Sequence, residues 1–171
     1  MSDVMTGRAH VYPRADINTD EIIPARYLMV DDEAELARHA MEDIDPAFGA
    51  KVQPGDFVVA GANFGCGSSR EHALWALRGA GVAAVIAESY SRIFLRNAIN
   101  NGYLALEVAG IATAVEDGAR LEVRPAEGLV RDLDSGREYR FAQLPEFALE
   151  IRRHGHLLDY LRAREAAEER R

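Results

Sequence analysis

Residues 57–107 alternate short apolar runs with longer helix-period stretches, and this rhythm constrains the fold more than any other feature of the chain. Phe57-Val58-Val59-Ala60 follows the turn Gln53-Pro54-Gly55-Asp56 and reads as a buried strand. A glycine-rich loop leads to a helix expected over about 69–78, carrying Leu74 and Leu77 on successive turns and stopped by Gly79 and Gly81. Val82–Ala87 is a second strand, 92–101 a second helix burying Phe94, Leu95, Ala98 and Ile99, and Leu104–Glu107 a third strand. Strand–helix–strand–helix–strand with short connections implies a parallel sheet.

The flanks differ from this centre. Gly7–Tyr12 is a strand candidate ended by Pro13, and Ala15–Asp20 is polar and turn-like. Asp32-Glu33-Ala34-Glu35 fits a helix start, with the helix running to about Met41. Arg120–Arg124, Leu129–Asp132 and Arg137–Phe141, separated by Gly- and Pro-containing turns, form an antiparallel meander. Pro145 opens a helical region broken at Gly155, and about 160–171 reads as a solvated helix or frayed tail. The expectation is one α/β domain over 1–171, a parallel sheet flanked by helices with an added antiparallel β layer.

The 171 residues, 48% hydrophobic and 28% charged, suffice for one ordinary core. No apolar run reaches the roughly 20 residues of a membrane span, and MSDVMTGRAH lacks a signal-peptide pattern. A soluble, cytoplasmic protein is expected. The net charge of −8 argues against nucleic-acid binding, and an anionic substrate would need a local cationic site.

The loop entering the first central helix reads Asn63-Phe64-Gly65-Cys66-Gly67-Ser68-Ser69-Arg70-Glu71-His72. Ligands of open α/β sheets bind beyond the carboxyl ends of the strands. A helix start offers unpaired N–H groups and a partial positive charge, and Arg70 adds a planar fork for a carboxylate or phosphate. Ser68-Ser69-Arg70-Glu71 also matches a capping box, S-x-x-E. One cysteine cannot hold an iron–sulfur cluster, and the five histidines show no zinc spacing, so no metal is expected on this chain. No P-loop, G-x-S-x-G elbow or correctly placed dinucleotide fingerprint occurs. Cys66 reads as a small buried core residue. The residues alone stop at a strand–loop–helix anion site with a hydroxyl beside an arginine; they name no reaction.

The run from Gly61 through Glu107 resembles the swivel domain of the aconitase family, and within it the small subunits of isopropylmalate dehydratases. The family's D-x-x-N-T-D-x-I-I-P segment stands here as Asp16-Ile17-Asn18-Thr19-Asp20-Glu21-Ile22-Ile23-Pro24. The resemblance spans about residues 7–160. It implies a swivelling β/β/α fold and a hydro-lyase that isomerises 2-isopropylmalate and 3-isopropylmalate in leucine biosynthesis. It further implies an iron–sulfur-bearing large subunit as partner, with the [4Fe–4S] cluster held there and none bound by this chain. Ser68 matches the catalytic base, and Ser69 and Arg70 match carboxylate-binding residues. Thr19 and Asp20 match a second segment of the same cleft. Arg26-Tyr27-Leu28-Met29-Val30 falls at the substrate-recognition loop, where an uncharged aliphatic surface suits an isopropyl group. Homocitrate, 2-methylmalate or dimethylmalate as substrate, or a non-catalytic anion-binding module, are the alternatives.

Overall fold

The computed structural model describes residues 3–170. The expected terminal residues Met1, Ser2 and Arg171 lie outside the described residues. Strand β1 (Met5–Tyr12) is followed by the short helix α1 (Thr19–Ile22), a 3₁₀ turn over Ala25–Tyr27, α2 (Glu33–Ala37) and α3 (Phe48–Lys51). The central alternation is β2 (Phe57–Ala60), α4 (Glu71–Gly79), β3 (Ala84–Ala87), α5 (Arg92–Asn100) and β4 (Leu104–Glu107). Then come α6 (Ile111–Ala114), β5 (Arg120–Arg124), β6 (Leu129–Asp132), β7 (Glu138–Arg140), α7 (Glu146–His154) and α8 (Leu157–Glu168).

The seven strands form one sheet in the order β4-β3-β2-β1-β5-β6-β7. β1 joins its two halves. Ala9–Tyr12 pairs parallel with Phe57–Ala60 of β2, while Met5–Arg8 pairs antiparallel with Val123–Arg120 of β5. β2, β3 and β4 continue parallel, and β5, β6 and β7 continue antiparallel.

The strand period of two assigns each central strand to two cores. Val58, Ala60, Val85 and Ala87 face the helices, packing with Leu36, Phe48, Leu74, Leu77 and Phe94. Phe57, Val59, Ala84 and Ile86 face the other way, onto Leu121, Val123 and Val130 of the meander. The antiparallel strands therefore cover the sheet face that the helices leave open, as the expected β/β/α layering requires.

The structure departs from the sequence reading in α2, β3 and α5 for tertiary reasons. α2 stops at Ala37 instead of Met41, because Met41 takes φ +59° and donates its N–H to Ile22 O at 2.8 Å. β3 begins at Ala84, because the N–H groups of Val82 and Ala83 are taken by Leu77 O and Asp56 O before the ladder starts. In α5 only Phe94 and Ala98 are buried, leaving Leu95 and Ile99 half-covered at the helix flank. At the C-terminus Gly155 ends α7 in the left-handed region, and α8 buries no residue.

Candidate active site

The loop between β2 and α4 passes the carboxyl end of the parallel sheet and is held from both sides. The Gly65 N–H donates to Ile17 O at 2.8 Å, and the Thr19 N–H donates to Cys66 O at 2.9 Å. On the other flank the Phe64 N–H donates to Ser89 O, and the Ser91 hydroxyl donates to Gly65 O at 2.8 Å. Gly65 has φ +76°, and a Cβ there would lie 2.3 Å from the Phe94 ring. Only glycine lets the loop cross this aromatic so closely.

These ties set where α4 begins. The N-cap is Arg70, in extended backbone, and no side chain caps the first turn. The capping box expected at Ser68 and Glu71 is therefore not formed. The loop's bonds to residues 17 and 19 hold the chain out of the helix until Arg70, which leaves Ser68 too far upstream. Glu71 accepts instead from Asn101 Nδ2 at the end of α5. A capping box does form at Asn18, whose side chain accepts from the Glu21 N–H while Glu21 accepts from the Asn18 N–H. Its N-x-x-E signal stands in the sequence, within a stretch read there as a turn.

The two expected cleft segments meet here. Thr19 is buried and its Oγ1 donates to Ser68 O at 3.1 Å. Arg70 Nη1 donates to the Asp20 carboxylate, which is largely exposed. Ser68 and Ser69 are exposed, and neither hydroxyl has a hydrogen-bond partner among the described residues. A guanidinium, two hydroxyls and the uncapped N–H groups of a nine-residue helix thus share one open surface. That arrangement can receive a carboxylate, since only part of the Arg70 fork is engaged by Asp20.

Cys66 is half-exposed on the rim, not buried in the core as expected, because its carbonyl is turned to Thr19 and Gly65 fills the position against Phe94. Partial burial and the nearby charges of Asp16 and Glu21 push its thiol up from the ordinary value. The raised value keeps the free thiol protonated at neutral pH.

The segment Arg26–Val30 lies apart from Arg70 in its bonding. Arg26 donates to Glu42 and, at 3.0 Å, to Asp43; the Tyr27 hydroxyl donates to Glu42 at 2.8 Å. Leu28 and Val30 are half-buried, and Met29 is 95% exposed. Asp31, the next residue, comes to 3.8 Å from Nε2 of His72 on α4. That nitrogen is buried without a hydrogen-bond partner among the described residues, so the loop's far end borders the helix that carries the site. Neither His72 nor Glu42 stood out as a site residue in the sequence, since His72 falls inside an ordinary helical pattern and Glu42 is one more acid just past a helix.

Among the described residues no group of three His, Cys, Asp or Glu side chains is placed to hold a metal ion. With one cysteine in the chain, these residues do not fit an iron–sulfur cluster. No helix among them is long and apolar enough to cross a membrane.

Residues 11–110 match the family described as the aconitase C-terminal domain. The chain is 56% identical over 161 residues, 94% of its length and 89% of the relative's, to the 3-isopropylmalate dehydratase small subunit of Deinococcus deserti. It is 46% identical over 166 residues, 97% of its length and 98% of the relative's, to the isopropylmalate/citramalate isomerase small subunit of Methanocaldococcus jannaschii. A solved 3-isopropylmalate dehydratase structure from Methanocaldococcus jannaschii superposes with a TM-score of 0.91 at 38% identity, covering 98% of both chains. The chain belongs to the small-subunit family of the 3-isopropylmalate dehydratases, within the aconitase fold family.

Proposed function

We propose that the chain is a single swivelling domain that serves as the small subunit of a two-subunit hydro-lyase. The pair interconverts 2-isopropylmalate and 3-isopropylmalate by loss and return of water, a step of leucine biosynthesis. The [4Fe–4S] cluster sits in the large subunit, where it supplies Lewis acidity to the substrate hydroxyl. The single observation that carries this reading is the junction of Thr19 and Asp20 with Ser68 and Arg70 in a chain of this family.

In this reading the open surface is one half of a cleft, and the large subunit closes the other. Arg70 and the Ser69 hydroxyl receive a substrate carboxylate. Ser68 Oγ, as alkoxide, takes the proton from the carbon next to the one bearing the hydroxyl, and hydroxide leaves to give the alkene. Hydroxide then adds to the carbon that lost the proton, and Ser68 gives its proton to the carbon that had borne the hydroxyl, which restores the alkoxide and completes the isomerisation. A serine oxygen serves as base only where its negative charge is stabilised. The free N–H groups at the start of α4 and the Arg70 guanidinium supply that field. Arg26-Tyr27-Leu28-Met29-Val30 borders the alkyl end of the substrate.

The test is reconstitution. The chain alone is expected to be inactive, and mixing it with a cluster-bearing large subunit of this family should give isopropylmalate-dependent absorbance of the alkene. No turnover with any such subunit would sink the proposal. A second reading, turnover of 2-methylmalate by the same site, is favoured by the dual name of the Methanocaldococcus relative. A substrate panel on the reconstituted pair separates the two.

A further inference from the structure

Three side chains converge on the Glu42 carboxylate. Arg26 Nη2 and the Tyr27 hydroxyl donate to Oε1, and His39 Nδ1 donates to Oε2 at 2.8 Å. The Tyr27 ring lies flat on the His39 imidazole, with centroids 3.8 Å apart and planes 11° apart, and the Arg26 guanidinium lies over the Tyr27 ring at 4.9 Å from its centre. Burial alone would raise the Glu42 carboxyl, but the bonds from His39, Tyr27 and Arg26 outweigh it and hold it below its ordinary value. Glu42 is thus an anionic hub beside the stacked Tyr27 and His39 rings.

The stack ends abruptly along the chain. Arg26 and Tyr27 are fastened, whereas Leu28, Met29 and Val30 have only apolar side chains, and Met29 is 95% exposed. Val30 packs against the helix-side core, so the fastening of Arg26 and Tyr27 holds the near end of the segment and Val30 its far end, with Met29 exposed between them. Arg26 also faces a second carboxylate, Asp43. Its charge is matched twice over, so the segment presents an aliphatic edge with no uncommitted cation.

We propose that Glu42 is a specificity-determining positioning residue: by gathering Arg26, Tyr27 and His39 it sets how Leu28, Met29 and Val30 leave the fold, and hence which alkyl group the site admits. This rests on the reading of Arg26–Val30 as the substrate-facing segment under the proposed function. Glu42 acts through its neighbours and touches no reacting atom. Removing one buried methylene contact from an apolar site changes discrimination about tenfold or more. A loosened segment loses such contacts to an isopropyl group, whereas a methyl group is too small to make them and is unaffected.

The test uses the reconstituted two-subunit enzyme with 2-isopropylmalate and 2-methylmalate as probes. Glu42→Ala is expected to lower the isopropyl-to-methyl ratio of kcat/KM about tenfold, mainly through a higher KM for isopropylmalate. Glu42→Gln keeps an acceptor for Tyr27 but loses the charge that holds Arg26, and should restore roughly a third of that loss. An equal fall on both substrates, or an unchanged ratio, overturns the role of Glu42. Should Glu42→Ala fail to assemble, Tyr27→Phe carries the test, because it removes one hydroxyl and keeps the ring stack. Its ratio is expected to drop about threefold, and a wild-type ratio overturns the proposal. A wild-type pair inactive on both substrates would instead overturn the proposed function itself.

Discussion

Arg70 and Asp20, fifty positions apart in the chain, join the start of α4 to α1 through a guanidinium–carboxylate contact at the open end of the parallel sheet. The arginine is mostly covered and the aspartate mostly exposed, with 17% and 58% of their side chains accessible. Such a pair contributes about 0–1 kcal/mol to stability. Its value is positional: it ties the start of α4 to α1 and engages one nitrogen of the Arg70 fork.

Arg70→Lys replaces that fork by a point charge. In the reconstituted enzyme we expect kcat/KM to fall about 100-fold, corresponding to about 3 kcal/mol of charge-assisted hydrogen bonding. The unfolding midpoint of the chain in urea should barely move. Wild-type kinetics would remove Arg70 from carboxylate binding.

Ser68 is exposed and its hydroxyl bonds to nothing among the described residues, so Ser68→Ala takes no support from the fold. Turnover should drop about 10³-fold or more, the scale of a lost general base. Co-elution with the large subunit on size exclusion should persist. Normal turnover would assign the proton transfer to another group.

Gly65→Ala should be among the most damaging small changes in the loop. The new Cβ would meet Phe94 side-chain atoms at 2.3–2.5 Å in a backbone with φ +76°. Overpacking and the left-handed backbone together cost about 3 kcal/mol. Gly110→Ala is the control, because φ is +72° but nothing lies within 4 Å of its Cβ position. It should cost about 1 kcal/mol, from the backbone alone. Equal urea midpoints for the two variants would contradict the close approach to Phe94.

Asp56 supports the opposite end of β1 and β2. Its carboxylate is buried beside His10 Nε2 at 2.8 Å and accepts the N–H groups of Arg8 and Gln53. Burial works to raise this carboxyl, but the His10 bond and the two backbone donors prevail and lower it. A depressed folded value means that the stabilisation is complete above the unfolded carboxyl value and fades as pH falls through the folded one. Asp56→Asn should therefore cost about 2 kcal/mol at neutral pH. That gap should narrow at pH values below about 4. A gap that stays constant from pH 7 to strong acid would show that the charge of Asp56 plays no part.

Ending the chain at His156 removes α8, which buries no residue. Stability should change by less than about 1 kcal/mol in urea unfolding. A larger loss would mean that α8 supports α7 more than its exposure allows.

Much of the architecture was legible because the chemistry that creates it is local. Phe57–Ala60, Leu104–Glu107, Arg120–Arg124 and Leu129–Asp132 are strands over the expected residues, each an apolar or alternating run bounded by turn residues. Asp32 caps α2 as its spacing predicts, accepting the N–H groups of Ala34 and Glu35. The family segments 16–24 and 61–72 were likewise visible as strings of residue types, and they contain the residues that meet, Thr19 with Ser68 and Asp20 with Arg70.

Decisions made by distant partners were not legible. S-x-x-E at Ser68 is a sound local capping signal, yet Ile17 and Thr19 hold the loop so that Arg70 begins the helix. Cys66 has the composition of a core residue, but Gly65 takes the place against Phe94 and leaves the thiol on the rim. Glu42 reads as one more acid after a helix until Arg26, Tyr27 and His39 are seen to gather on it. The sequence by itself determined the layering and the chemical inventory, because strand period, turn residues and helix caps act within a few residues. Tertiary structure alone decided which donors remain free and which are committed, because that depends on hydrogen bonds between segments that no local pattern relates.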